Sequence, residues 1–209
     1  AVYWYLRYAL SYRDIEELMQ ERGVDVDHAT LQRWVVKYTP IVEANFRKKK
    51  RTVGKSWRMD ETYIKIKGQW YYLYRAVDKE GNTIDFLLTK KRDTKAAKRF
   101  LIKAIGSNGG PEKITIDKSG ANKAAIEEYN NENGTSIEIR QIKYLNNIVE
   151  QDHRGIKRIT KHMLGFKSFP SASVTLNGIE LVRMLKKGQT EVDNDFLQTT
   201  AELFYDLAA

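Results

Sequence analysis

The sequence predicts an α/β fold, a mixed sheet flanked by helices and preceded by a small all-helical unit. Three observations carry this. Apolar spacing is helical over residues 1–38 and switches to period two from Ser56. A run of cations, Arg47-Lys48-Lys49-Lys50-Arg51, separates the two patterns. Beyond Ser56, three aromatic and β-branched runs come first, and short apolar strands then alternate with helical patterns.

In the first unit, Tyr12, Ile15, Leu18 and Met19 sit at helical spacing, and Gly23 stops that helix. Asp27 is placed to cap the next one. There Leu31, Trp34, Val35 and Tyr38 form an apolar stripe, and Thr30, Arg33 and Lys37 fall on the opposite face. Two short helices joined by a tight turn fit a helix-turn-helix, and equally a helical hairpin with a solvated face. Pro40 is expected to close the unit. Residues 41–55 then read as an extended linker, because successive cations repel one another. Such a linker, through Arg47, Lys48, Lys49, Lys50 and Arg51, suits a phosphate backbone as well as plain solvent.

The second unit is expected to open with strands at 57–66, 70–77 and 84–89, joined by turns at Lys67-Gly68-Gln69 and Asp78-Lys79-Glu80-Gly81-Asn82. Asp93 or Thr94 caps a helix to about residue 105, and Gly109-Gly110-Pro111 breaks the chain after it. A buried strand at 113–117, a helix at 121–131 and a strand at 136–140 follow. Helices are expected near 147–163 and 175–187, with an amphipathic helical tail. Three antiparallel strands, helix, strand, helix, strand, helix is the order of the RNase H-like core found in ribonucleases H, retroviral integrases and many transposases.

Composition narrows the chemistry. The 209 residues include no cysteine and three histidines, which excludes disulfides, thiol nucleophiles and thiolate zinc sites. A bound metal would need oxygen ligands, hence Mg²⁺ or Mn²⁺. The net charge of +9 suits a polyanion such as nucleic acid. No apolar run reaches the ~18 residues of a membrane span, and no signal peptide is legible. The chain begins at Ala1 inside an apolar run, as if its natural N-terminus were missing.

Three carboxylates stand out. Asp60 lies mid-strand, where a buried charge needs compensation. Asp117 ends a short apolar strand, and ligands gather at such strand ends. Glu150 shares a helix face with His153, Arg154, Lys157 and Lys161, opposite Ile148, Ile156, Ile159 and Met163. Three carboxylates suit two hard cations about 4 Å apart, a phosphodiester-transfer site. With 27 acidic residues in the chain, ordinary roles also fit: a strand-edge charge, a turn residue, and a surface ion pair with Arg154 or Lys157. Asp78 reads as a turn residue, Asp85 as an outward strand residue, and Asp152 as pointing away from Glu150.

At these motifs the chain resembles the insertion-sequence six (IS-six) family of transposases, which carry a DDE, integrase-like core. The resemblance rests on Trp57-Arg58-Met59-Asp60-Glu61-Thr62-Tyr63, Trp70-Tyr71-Tyr72-Leu73-Tyr74-Arg75-Ala76-Val77-Asp78, Ile116-Asp117, and Asn146-Asn147-Ile148-Val149-Glu150-Gln151-Asp152-His153-Arg154. It also rests on Asp27-His28-Ala29-Thr30-Leu31-Gln32-Arg33-Trp34, Gly165-Phe166-Lys167-Ser168-Phe169 and Arg183-Met184-Leu185-Lys186-Lys187-Gly188-Gln189, so it covers most of the chain.

The resemblance implies a helix-turn-helix over 1–40, truncated at its start, a basic linker over 41–55, an RNase H-like catalytic core over 56–165 and a helical segment over 166–209. It implies Asp60, Asp117 and Glu150 as ligands of two Mg²⁺ or Mn²⁺ ions, with Lys157 contacting the transposon-end DNA. The implied partners are double-stranded DNA, as terminal inverted repeats and target, and further copies of the chain in a homodimer or larger assembly. No membrane is implied, and the place is the prokaryotic cytoplasm, at the nucleoid. The rivals are an RNase H-like nuclease without strand transfer and a non-catalytic DNA-binding remnant.

Overall fold

The computed structural model describes residues 1–163, 165–191 and 198–209. Two compact units are present, one made of Thr52–Arg154, the other of Ala1–Arg51 with Gly155–Ala209.

The first of these is built on a five-stranded mixed sheet. Strands β1 (Ser56–Ile66), β2 (Gln69–Asp78) and β3 (Thr83–Thr89) form an antiparallel meander. Strands β4 (Lys113–Thr115) and β5 (Glu138–Arg140) run parallel to β1, and the order is β3-β2-β1-β4-β5. The β1–β2 turn is only two residues long, Lys67 and Gly68, both at positive φ. That turn matches the twist of the paired strands and fixes their register, Ile66 opposite Gln69. Asp78 organises the next turn, accepting from the backbone N–H of Glu80 (3.1 Å) and Asn82 (2.8 Å).

Period two divides β1 between two environments. Trp57 and Met59 join Tyr74, Ala76 and Ile84 in a core closed by α4 (Thr94–Asn108) and α5 (Gly120–Asn133), through Ala97, Phe100, Leu101, Ala125 and Ile126. Arg58 and Asp60 are therefore left on the opposite face. As expected, Asp93 caps α4, accepting from Ala96 N–H at 2.8 Å. A 3-10 turn (Lys143–Asn146) leads into α6 (Asn147–Thr160).

Asp85 corrects its sequence reading. It is 1% exposed rather than outward, and Lys103 of α4 reaches it at 2.8 Å. Strand β3 is buried on both faces, so alternation carries no inside–outside information there.

The helical unit comprises α1 (Val2–Arg7), α2 (Tyr12–Gln20), α3 (His28–Lys49), α7 (Phe169–Lys186) and α8 (Thr200–Asp206). Asp27 caps α3 as expected, accepting from Thr30 N–H at 2.6 Å. Pro40 does not end that helix. Residues 41–49, expected in an extended linker, are its second half. Proline removes one backbone hydrogen bond, but Leu31, Val35, Thr39, Val42 and Phe46 form one buried stripe through it, packed on α7. Tyr38, expected in the stripe, is exposed. Beyond α3, Arg51 N–H donates to Gln189 O (3.0 Å) and Glu191 N–H to Lys49 O (2.8 Å), so the chain leaves the helix tethered.

Helix α7 begins six residues earlier than expected, because Ser168 caps it and Pro170 suits its first turn. The expected helical tail is α8, with residues 192–197 outside the described residues.

Gly178 is where α1 and α3 pack closely on α7. A Cβ there would lie 2.6 Å from both Leu6 methyl carbons and 2.9 Å from Thr39 Cγ2. Gly178→Ala is expected to cost ~1–3 kcal/mol by overpacking. Thermal unfolding reads it, and an unchanged midpoint would show that the contact is loose.

Candidate active site

The site begins with Asp60 on β1. Its side chain is 16% exposed. Burial pushes its carboxyl from the usual 3.8 up to about 7, and the neighbouring charges of Glu61, Asp117 and Glu150 push the same way. Three acids far apart in the chain thus share one electrostatic neighbourhood.

Asp117 lies two residues past β4, where Ile116 N–H still donates to Arg140 O at 2.9 Å. Its Oδ1 accepts from Ser119 N–H at 2.9 Å, and Arg92 Nη2 stands 3.8 Å from Oδ2. Arg92, in the loop before α4, also pairs through Nε with Glu61. Glu61 faces away from Asp60 and is buried, and its Oε2 accepts from Asn122 Nδ2 of α5 at 3.1 Å. Buried Asn146, with its side-chain oxygen toward Asp117, accepts from Asp117 N–H (3.2 Å) and donates to Thr115 O (3.3 Å). The end of β4 is thereby tied to the turn that starts α6.

The first half of α6 is anchored at three inward positions. Val149 is fully buried, Asp152 pairs with the fully buried Arg75 of β2, and His153 Nδ1 lies 3.8 Å from Asp60 Oδ2. Arg75 is the cross-strand neighbour of Asp60. Glu150 is left exposed, in the first turn, where the helix N-terminus favours a negative charge.

Asp152 points away from Glu150, as expected. His153 does not share Glu150's solvent face, because positions 149, 153 and 156 form a single buried stripe. Arg154 and Lys157 are exposed on α6, as is Glu150. Among the described residues, no three acidic or histidine side chains stand close enough to hold one ion as placed.

The residues expected to meet DNA divide in two. On α3, Arg33 is exposed and donates to Thr30 Oγ1 (2.8 Å), and Lys37 is exposed beside the Tyr38 ring. Arg47 is engaged with Glu43 (2.8 Å) and Lys48 with Asn45 (3.3 Å), while Lys49, Lys50 and Arg51 run along 189–191. Sequence reasoning missed Arg75, Arg92, Asn122 and Asn146. Only Arg75 carried a signal, as a cation inside an otherwise apolar strand.

A family model described as a DDE domain matches residues 54–189. The chain is 46% identical over 189 residues to the transposase for insertion sequence-like element IS431mec of Staphylococcus aureus strain N315, covering 90% of this chain and 83% of that one. Identity and coverage are the same for the transposase for insertion sequence element IS257 in transposon Tn4003 of Staphylococcus aureus. Among solved structures, the HTLV-2 integrase catalytic core domain in complex with magnesium, in its trimeric form, is similar with a TM-score of 0.53 at 20% identity, over 66% of this chain and 94% of that one. Its dimeric form gives 0.51 at 19%, over 73% and 97%. These cores share the fold, so the expected RNase H-like sheet is present. No described helix is long and apolar enough to cross a membrane. With a DDE domain over most of its length and nearly half its residues shared with insertion-sequence transposases, the chain belongs to the DDE transposases of the IS-six family.

Proposed function

We propose that Asp60, Asp117 and Glu150 are the acids through which this transposase cuts the ends of its insertion sequence and joins them to target DNA. The supporting observation is the coupling of the three carboxylates at Asp60. A cation would relieve both the burial of Asp60 and the acidic charges acting on it. The donors are all oxygen, which suits Mg²⁺ or Mn²⁺. Binding would draw the three inward from their present spacing. A pair of such ions supplies Lewis-acid activation of the attacking and leaving oxygens.

In the reaction, water attacks a phosphodiester at the element end, the P–O3′ bond breaks and the 3′ oxygen leaves with a proton. The freed 3′-OH then attacks a target phosphodiester, making one P–O bond as another breaks. His153 stands on the buried side of α6 with its Nδ1 3.8 Å from Asp60 Oδ2, where it can balance the carboxylate's charge. Arg154 and Lys157 screen the DNA phosphates from the exposed face of α6. Residues 1–40 act as a helix-turn-helix that reads the terminal inverted repeats through Thr30, Arg33 and Lys37, and Lys48, Lys49, Lys50 and Arg51 meet the backbone. Two ends must be held together, so the working form is a homodimer or larger. The similar HTLV-2 cores are described with magnesium and as dimeric and trimeric forms, in keeping with both expectations.

In a joining assay with end-bearing duplex and Mg²⁺, Asp60→Asn is expected to lower the rate by at least ~10³-fold, several kcal/mol of lost charge stabilisation. Duplex binding should persist. Joining at the wild-type rate removes Asp60 from the reaction.

The proton on Asp60 competes with metal. Folded Asp60 holds its proton up to about 7, above the unfolded value. The metal-free fold therefore binds more protons than the unfolded chain, and this group's contribution to stability falls as pH rises toward 7. Added Mn²⁺ should reverse the loss above pH 7, so the Mn²⁺-induced rise in melting temperature should grow with pH. Asp60→Asn should flatten both trends. A Mn²⁺ effect independent of pH would contradict the assignment.

A further inference from the structure

We propose that a basic cleft at the start of β1 seats a DNA backbone phosphate beside the one being cut. The proposal rests on the reading of Asp60 as a DNA-processing residue. The cleft has a volume of about 590 Å³, and its cations are Lys55, Arg58, Lys79, Lys113 and Arg140. Three carboxylates oppose the five cations, Glu80 beside Lys79 (3.4 Å), Glu112 beside Lys55 (3.9 Å) and Glu138 beside Arg140 (2.8 Å), leaving an excess of positive charge.

Arg58 separates this cleft from an ordinary solvated basic patch. It is 8% exposed, far too buried for a hydrated surface cation. Its Nη1 donates to Ser56 O (2.8 Å) and Ser56 Oγ (3.2 Å), but its Nε has no hydrogen-bond partner among the described residues. A buried, incompletely bonded guanidinium is costly to keep, and an oxyanion answers its charge and its idle N–H together. The nearby Asp78 is not that oxyanion. Its oxygens are taken up by the backbone N–H groups of Gly54, Glu80 and Asn82. Gly54 closes one wall so tightly that a Cβ there would lie 3.3 Å from Glu80 Oε2.

The position selects DNA over a free anion. Arg58, Thr115 and Arg140 form one row across β1, β4 and β5. Asp60 is two residues further along β1, hence on the same face and ~7 Å away. A strand whose scissile phosphate lies at Asp60 has its neighbouring phosphate within reach of that row. Arg140 is held on its outer side by Glu138 at 2.8 Å, which steadies the rim without filling the cleft.

The test uses the full chain and a duplex carrying the element end, with affinity measured across salt concentration. Lys79→Gln, Lys113→Gln and Arg140→Gln are made singly and together, beside Arg58→Gln and Arg58→Lys. If Arg58→Gln does not fold, the three rim variants carry the test. Each rim cation that contacts phosphate should lower the log–log salt slope by about 1. The triple variant should join DNA with a raised KM and kcat near wild type. Rim variants with wild-type affinity and slope overturn the cleft assignment while leaving the carboxylate site standing. Wild-type protein that binds no duplex at any salt concentration overturns the DNA-processing reading itself. Inorganic phosphate is the second arm, followed through the Arg58 Nε–H resonance. A shift with millimolar phosphate and none with duplex makes this a free-anion site and overturns the assignment to DNA.

Discussion

The ion pair between fully buried Arg75 and Asp152 holds the first half of α6 against the sheet, and the proposed acidic site depends on α6 lying there. Removing one partner of such a pair leaves a stranded charge and costs ~3–5 kcal/mol. The pair also sets rotation. With Asp152 turned to the sheet and His153 beside Asp60, the helical repeat leaves Glu150 at the rim. Asn146 adds a second tie, from the end of β4 to the turn before α6. Asp117 and Glu150 are thus positioned by neighbours outside the proposed set of acids.

Strand β1 organises the charge on both of its faces. Glu61 turns inward, where Arg92 and Asn122 answer it. Asp60, one residue earlier, turns to the other face, where burial first, and then the charges of Glu61, Asp117 and Glu150, favour its neutral form. Two adjacent carboxylates thus have different surroundings: one is paired with Arg92 and Asn122, the other is largely buried beside further acids. Arg92 joins the two faces electrically, pairing with Glu61 and lying near Asp117.

Much of this was legible in the residues. The meander was read from its period-two runs and its Lys67-Gly68 turn, and α4 from its Asp93 cap, because strand pleat and helix capping are local effects. The three acids were singled out for their places at a strand centre, a strand end and a helix face shared with cations. Three readings failed for one reason. Pro40 was given the power to end a helix, but packing along Val42 and Phe46 outweighs one lost hydrogen bond. Asp85 was turned outward by alternation, but its strand is covered on both sides. His153 was assigned to solvent on a wheel that could not weigh it against Val149 and Ile156.

The sequence by itself determined the type and order of most elements, the charge balance, and the exclusion of thiol chemistry. Each depends on neighbours within a few residues or on composition alone. The tertiary structure decided which acids share a field, which are neutralised, and where a buried cation is left with an idle N–H. Those outcomes depend on the strand order β3-β2-β1-β4-β5, which sets residues from opposite ends of the unit side by side. Proximity of that kind is fixed by the packing of whole elements, and no window of local sequence contains it.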